Sequence, residues 1–143
     1  MLEAFTKRDI VESQLKVAIE LFLADKEYIS TITLAGAVEE ILGKETRKKG
    51  GLSTIERDFK LYQMFEDFFP EVEKTSKKKF ISSSNLARNS FKHPQEEDSI
   101  KFDLEIEATQ MLKRALANYF LLYRQEHELR EQFNKKIKTL RNS

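Results

Sequence analysis

The fold class is decided by the segment LEIEATQMLKRALANYFLLY, residues 104–123, in which apolar side chains recur every three or four positions. This spacing aligns them along one face of an α-helix, and we expect that face to be buried. Its members are Leu104, Ala108, Met111, Leu112, Ala115, Leu116, Tyr119 and Phe120. The whole chain has only four Gly and two Pro, no Asn-Gly or Asp-Gly pair, and no sustained alternation of polar and apolar residues. The sequence therefore predicts an all-α protein.

Length and composition indicate one cytoplasmic domain. A chain of 143 residues, 40% hydrophobic and 34% charged, can bury a core. With 25 basic and 24 acidic residues, its surface as a whole is not expected to coat nucleic acid or an anionic membrane. The absence of Cys excludes disulfides, thiol nucleophiles and thiolate metal sites. The N-terminus lacks the order of a signal peptide, and no apolar run approaches the roughly 20 residues of a membrane span.

The pattern predicts an antiparallel bundle of about five helices. The first runs from about residue 6 to residue 24 and is capped by Thr6. The second runs from about residue 30 to residue 42, with Gly43 as a left-handed C-terminal cap. The third opens with the capping box Ser53-Thr54-Ile55-Glu56, and a short fourth follows residues 82–85. The last helix begins near residue 99 or 103.

The C-terminal end is predicted to be helical as well, because no Gly or Pro occurs between residue 99 and residue 143. A single helix over residues 103–141 would be about 58 Å long, which exceeds what a domain of this size needs. The apolar pattern thins beyond Tyr123 to Leu129, Phe133, Ile137 and Leu140. We therefore divide the chain into a helical bundle, residues 1–123, and a charged helical extension, residues 124–143, which either folds back or projects as an arm.

Further expectations concern which side chains are buried. In the second helix we expect Glu39 and Glu40 to face outward, and residues 35–37, Ala-Gly-Ala, to let a neighbouring helix approach closely. Residues 44–51 are predicted to form a basic loop that ends in two glycines. The third helix carries apolar, mostly aromatic residues at helical spacing, which indicates a core or an oligomer contact rather than a cofactor pocket. The main members of this row are Ile55, Phe59, Tyr62, Phe65 and Phe69.

The candidate functional residues lie in Arg88-Asn89-Ser90-Phe91-Lys92-His93, which is followed by Pro94. Pro94 disfavours the helical conformation at His93, so the helix is expected to end there. Asn89 and His93 are four residues apart, as are Arg88 and Lys92. At a helix end, Asn89 could hydrogen-bond the imidazole of His93 while Arg88 and Lys92 face an anion together. The basic cluster Lys77-Lys78-Lys79 precedes this segment and is a second candidate for contact with RNA.

These residue types suit phosphodiester transfer without a metal. Arginine binds phosphate oxygens in a bidentate manner. Histidine can deprotonate a ribose 2′-hydroxyl or protonate the leaving oxygen. In-line displacement uses both roles, yet the chain offers one suitable imidazole, because His127 in Glu126-His127-Glu128 is expected to be solvated. A two-fold homodimer would supply the second copy. Two His and no Cys argue against a zinc site, and no phosphate-binding loop occurs, so we expect no metal and no cofactor.

The motif Arg88-Asn89-x-x-x-His93, placed after several helices and before a long one, resembles that of the HEPN superfamily. The segment TLAGAVEEILG, residues 33–43, is also similar to a stretch in bacterial helical proteins with the same downstream motif. HEPN proteins are small, all-α and usually dimeric. Many are metal-independent ribonucleases of toxin–antitoxin and defence systems. The resemblance, which covers about residues 8–123, implies an RNA substrate, an antitoxin protein as partner, and catalytic roles for Arg88, Asn89 and His93.

Two alternatives stand beside the ribonuclease hypothesis. The protein could be a non-catalytic dimeric helical module that binds a protein partner through residues 124–143 and the aromatic side chains of the third helix. Alternatively, Arg88 could simply pair with Glu96 or Asp98 while His93 caps a helix.

Overall fold

The computed structural model describes residues 1–96 and 99–143, and over these residues the protein is all-α, as the sequence predicts. The described residues form seven helices rather than about five. The predicted short fourth helix is the helix Leu86–Lys92, an additional helix that was not predicted precedes it at Lys77–Ser84, and the predicted last helix is two helices. In chain order they are α1 (Lys7–Leu23), α2 (Tyr28–Lys48), α3 (Thr54–Phe68), α4 (Lys77–Ser84), α5 (Leu86–Lys92), α6 (Leu104–Tyr123) and α7 (Arg130–Arg141).

The core lies where α2 packs against both α1 and α6. The apolar face predicted for α6 is largely buried there, although its member Phe120 is exposed. The completely buried residues of the core include Leu15, Phe22, Val38 and Leu112. The capping box of α1 is present as predicted, since Asp9 N–H donates to Thr6 Oγ1 and Thr6 N–H donates back to the Asp9 carboxylate. Within the described residues, none of the helices is both long and apolar enough to cross a membrane.

Helix α2 is longer than predicted, and the assignment of Gly43 as its C-terminal cap is wrong. The helix continues through residues 44–48, which were expected to form a loop, and it ends before Lys49. Gly43 is a buried interior position, because a Cβ there would lie within 4 Å of Ser53 and Asn118 side chains. The left-handed conformation that ends this segment belongs instead to Gly50, with φ of 80°.

The C-terminal segment folds back onto the bundle. Arg124 adopts a left-handed conformation with φ of 55°, which ends α6 and excludes a single helix over residues 103–141. Phe133 and Ile137 of α7 are buried in the core, where Phe133 packs against Phe22 of α1. Lys136 donates to the carbonyl oxygens of Phe22 at 2.8 Å and Leu23 at 3.2 Å, and it also contacts Asp25. A lysine from α7 thus satisfies the last carbonyl groups of α1.

The aromatic row of α3 is divided between the interior and the surface. Ile55 and Phe59 are buried, and Phe59 and Tyr62 pack against Phe80 of α4. The C-terminal half of α3 instead leaves large apolar side chains exposed, and we call this set the α3 apolar face. Its members are Leu61, Met64, Phe65, Phe68 and Phe69.

Candidate functional site

The candidate residues Arg88, Asn89 and Lys92 lie on the short helix α5, which ends where Pro94 predicts. His93 is the C-terminal cap of α5 and has left the helical region, with φ of −132° and ψ of 70°. Its backbone N–H still donates to the carbonyl oxygen of Asn89 at 2.9 Å. The steric effect of proline on the preceding residue accounts for this backbone conformation. The imidazole itself is exposed at the end of the helix.

Arg88 is held by Glu39, which the sequence was wrongly expected to expose. Arg88 Nη1 donates to Glu39 Oε2 at 3.2 Å, and Arg114 Nη2 donates to the other oxygen, Glu39 Oε1, at 2.8 Å. Glu39 is only 4% exposed, so two guanidinium groups enclose one buried carboxylate. Because Arg88 pairs with Glu39, the predicted pairing with Glu96 is wrong; the other predicted partner, Asp98, lies outside the described residues.

Gly36 makes the position of Arg88 possible. An ideal Cβ on Gly36 would lie 2.4 Å from Arg88 Cδ and 2.7 Å from Arg88 Cγ, far inside van der Waals contact. The stem of Arg88 therefore occupies the space in which any other residue would carry its side chain. The close approach predicted for residues 35–37 is confirmed, and its consequence is to guide Arg88 toward Glu39.

A buried hydrogen-bond network extends from Glu39 to three other elements. Asn118 of α6 donates to the carbonyl oxygen of Glu39 at 3.2 Å, and Asn118 Oδ1 accepts from both the backbone N–H and the hydroxyl of Thr54 at 2.8 Å. Arg114 also donates to the carbonyl oxygen of Ser84 at 3.3 Å. Since these bonds connect α2, α6 and the ends of α3 and α4, they fix the framework that carries α5.

The hexapeptide is divided between two surface features. Asn89 and His93, both exposed, line a shallow depression together with Ser90, Gln95 and Ile100. Within the described residues, Asn89 Oδ1 accepts from Arg88 Nε and Nη2 at 3.4 Å, and the expected bond between Asn89 and the imidazole is not formed. Arg88 itself lines a separate cleft on the other side.

That cleft, which we call the α2–α5 cleft, lies between α2 and the α3–α5 segment and has a volume of about 320 Å³. Lys77 lines it and donates to Glu56 Oε2 at 3.1 Å, whereas Lys78 and Lys79 do not line it. Burial raises the pKa of the Glu56 carboxyl, but hydrogen bonds from Ser53, Lys77 and Arg47 outweigh burial and lower the pKa to about 2. Glu56 is therefore a permanent anion at neutral pH.

Lys92 is exposed and does not line this cleft. The pKa of Glu40 is lowered mainly by its hydrogen bond with Lys44, and the positive charges of Arg88 and Lys92 lower it further. Arg88 and Lys92 thus both act electrostatically on Glu40, although only Arg88 lines the cleft. Of the predicted RNA contacts, Lys77 and Arg88 share a cleft, and Lys78, Lys79 and Lys92 are exposed outside it.

The prediction that His127 is solvated is wrong. The residue is only 4% exposed and lies between α1 and α6. Its Nδ1 accepts the backbone N–H of Leu129 at 3.0 Å, and its Nε2 lies 3.9 Å from Glu12 Oε2. Burial lowers the pKa of the imidazole. Tyr119 packs edge-on against it and donates to Glu12 at 2.6 Å. Sequence reasoning failed because the neighbouring Glu126 and Glu128 suggest exposure, whereas the left-handed turn at Arg124 directs this segment inward.

The important residues that sequence reasoning missed are Glu39, Arg114 and Asn118. A signal for Glu39 did exist, because it lies four residues after Ala35 and three before Leu42, both of which are completely buried. Helical spacing alone places it on the buried face. Its charge was the reason for predicting exposure, and the charge is compensated by two arginines distant in sequence.

The described residues contain no group of three or more His, Asp or Glu side chains arranged to hold a metal ion. Comparisons of the chain with protein-family models, with curated proteins and with solved structures find no match. The geometry around α5 is consequently the main indication of function.

Proposed function

We propose that this protein is a HEPN-like RNA-binding protein that cleaves RNA without a metal, in a site shared by two copies of the chain. The observation that carries the proposal is the arrangement at α5. Arg88 is fixed by Glu39 and bonded to Asn89, while the imidazole of His93 is exposed at the end of the same helix. A guanidinium and an imidazole are two groups that serve phosphodiester transfer without a metal. Because Arg88 and His93 line separate surface features of one chain, the proposal depends on the second copy to bring them to one phosphate.

In this proposal Arg88 binds the scissile phosphate. Two arginines share the single carboxylate of Glu39, so that carboxylate neutralises only one of their two positive charges. Arg88 is the more exposed of the two, with 15% of its side chain accessible against 9% for Arg114. The excess positive charge is thus available at the surface through Arg88, already oriented and without the entropy cost of ordering a free arginine. Lys92 adds positive charge beside it.

His93 is the proposed general acid and base, and Asn89 orients the phosphate or the imidazole when RNA binds. One chain supplies one suitable His, because His127 is buried against Glu12 and Tyr119. A homodimer that places two α5 helices side by side would supply the base and the acid of an in-line displacement. Such an enzyme fits a toxin of a toxin–antitoxin or defence system, with an antitoxin protein that covers α5.

The test is cleavage of a fluorescent single-stranded RNA in the presence of EDTA. We expect His93→Ala to lose cleavage by at least 100-fold, the scale of a general acid or base. The matched control is Gln95→Ala, which alters the same depression without removing an ionisable group and should retain activity. Wild-type protein that cleaves no faster than His93→Ala would contradict the proposal.

A second candidate function is supported by the α3 apolar face. Phe68 is 81% exposed, Leu61 64% and Phe65 54%, and monomeric proteins rarely leave such a contiguous group uncovered. We infer a non-catalytic dimeric interaction module in which this face contacts a second copy. Residues 124–143 were also expected to bind the partner, but their apolar residues Phe133 and Ile137 are buried in the core of the same chain and cannot contact it directly.

Sedimentation velocity separates this second function from the first. The double variant Phe65→Ser/Phe68→Ser should be monomeric and as stable as wild type, since both side chains are already exposed. Exchange of Lys60 and Lys74 for Ser, two residues close to the same face, is the matched control. An unchanged sedimentation coefficient in the Phe variant would exclude this face as the interface.

A further inference from the structure

The α2–α5 cleft combines positive charge with an unused hydrogen-bond acceptor. Four cationic side chains line it, namely Lys44, Arg47, Lys77 and Arg88, against three carboxylates, Glu39, Glu40 and Glu56. Arg114 contacts Glu39 from behind the cleft wall. Positive groups therefore outnumber negative ones by two, which is the charge that a phosphate monoester carries near neutral pH.

The cations on the outer side of the cleft can turn toward a ligand. The side chains of Arg47 and Lys77 are 46% and 54% exposed, and both are paired with Glu56. About half of each side chain is accessible, so each can also contact a ligand in the cleft. Glu56 would not be left unpaired, because it also accepts the backbone N–H and hydroxyl of Ser53 at 3.3 and 2.9 Å.

Asn85 adds an unpaired hydrogen-bond acceptor to the lining of the cleft. It is 6% exposed and lines the cleft, yet its Oδ1 is buried and accepts no hydrogen bond from the described residues. Asn85 also precedes the first residue of α5, where an Asn side chain usually accepts an N–H from the first helical turn. It cannot do so here, since its φ of −106° and ψ of 8° are not the extended conformation of an N-cap. Within the described residues this acceptor is therefore unpaired, and it can accept from a hydroxyl or amino donor once the Asn85 side chain turns toward the cleft.

The remaining wall of the cleft is apolar. Ile55 of α3 and Ile81 of α4 line it. The volume of about 320 Å³ lies at the small end of the range for ligand sites. These features together match a small molecule with a phosphate at one end, a hydroxyl or amino donor in the middle, and a ring that packs against aliphatic side chains.

We propose that the α2–α5 cleft binds a nucleoside monophosphate unit, with the phosphate against Arg47, Lys77 and Arg88 and a donor group on Asn85 Oδ1. This unit is either a free nucleotide or the 5′-phosphorylated end of an RNA. The inference shares Arg88 with the proposed ribonuclease site but does not rest on cleavage, because His93 lies in a different depression.

Isothermal titration of the full chain with AMP, adenosine and inorganic phosphate tests the proposal. We expect AMP to bind, adenosine to bind at least tenfold more weakly, and Lys77→Ala to weaken AMP about tenfold, as expected for loss of one charge-assisted hydrogen bond. Lys78→Ala is the matched control, being the next residue of the same helix but outside the cleft, and should change the affinity less than twofold. Asn85→Ala should weaken AMP while leaving inorganic phosphate unaffected.

A pair of RNA hexanucleotides, one with a 5′-phosphate and one with a 5′-hydroxyl, distinguishes an RNA end from a free nucleotide as the ligand. Preference for the phosphorylated strand supports the proposal with RNA as ligand, and binding of AMP alone supports it with a free nucleotide. No binding of AMP or of either strand overturns it, as does an equal loss in Lys77→Ala and Lys78→Ala. His93→Ala should abolish cleavage and leave AMP binding intact, so failure of either proposal is recognised separately.

Discussion

Replacing Gly36 by Ala should destabilise the protein, although the same change in most helix interiors is stabilising. Alanine favours a helix over glycine by about 1 kcal/mol. Here its Cβ would lie 2.4 Å from Arg88 Cδ, so the arginine must leave its place between α2 and α5. Arg88 then loses its bond to Glu39, and a hydrogen bond between charged groups contributes about 1.5–3 kcal/mol. We therefore expect a net loss of about 0.5–2 kcal/mol, or about 2–8 °C in Tm.

In the Arg88→Ala background the effect of Gly36→Ala on the free energy of unfolding should change sign, which isolates this mechanism. Once Arg88 is truncated, the nearest remaining atom is its Cβ at 3.8 Å, an ordinary contact. Gly36→Ala should then stabilise the protein by about 0.5–1 kcal/mol through helix propensity alone. The double-mutant cycle should give a coupling energy of about 1.5–3 kcal/mol, the contribution of the lost bond.

Urea denaturation followed by circular dichroism measures all four proteins of the cycle. Gly43→Ala is the matched control on the same helix, because its Cβ would have no neighbour closer than 3.5 Å, and it should be stabilising. If Gly36→Ala were stabilising with Arg88 present, the side chain of Arg88 would not occupy this space, and the anchoring of the candidate site by Glu39 would be refuted.

Three other predictions concern the C-terminal part of the chain. Burial lowers the pKa of His127, so below about pH 6.5 the unfolded state binds the proton more readily than the folded state does. The urea midpoint of the wild-type protein should therefore fall more steeply between pH 7 and pH 5 than the midpoint of His127→Gln. Equal slopes for the two proteins would contradict this. Phe133→Ala should cost about 3–5 kcal/mol in thermal unfolding because the ring is 1% exposed, whereas the neighbouring Glu131→Ala should cost almost nothing. Lys136→Met should lower the urea midpoint by removing donors from the C-terminus of α1, while Lys138→Met on the same helix should leave it unchanged.

Sequence alone determined the features that depend on neighbouring residues. The all-α class follows from helical spacing and the scarcity of Gly and Pro, and the start of α1 follows from Thr6 and Asp9, three residues apart. The end of α5 follows from Pro94, because a proline acts on the residue directly before it. In each case the atoms that decide the conformation lie within about one helical turn.

Tertiary structure decided which charged groups are buried and what they bind. Glu39 contacts Arg88, 49 residues away, and Arg114, 75 residues away, and neither partner changes the local pattern that suggested an exposed carboxylate. The division of the hexapeptide between two surface features, and the folding back of α7, depend in the same way on distant contacts. A buried charge is stable only with its partners in place, and the chain brings those partners together only when α2, α5 and α6 pack.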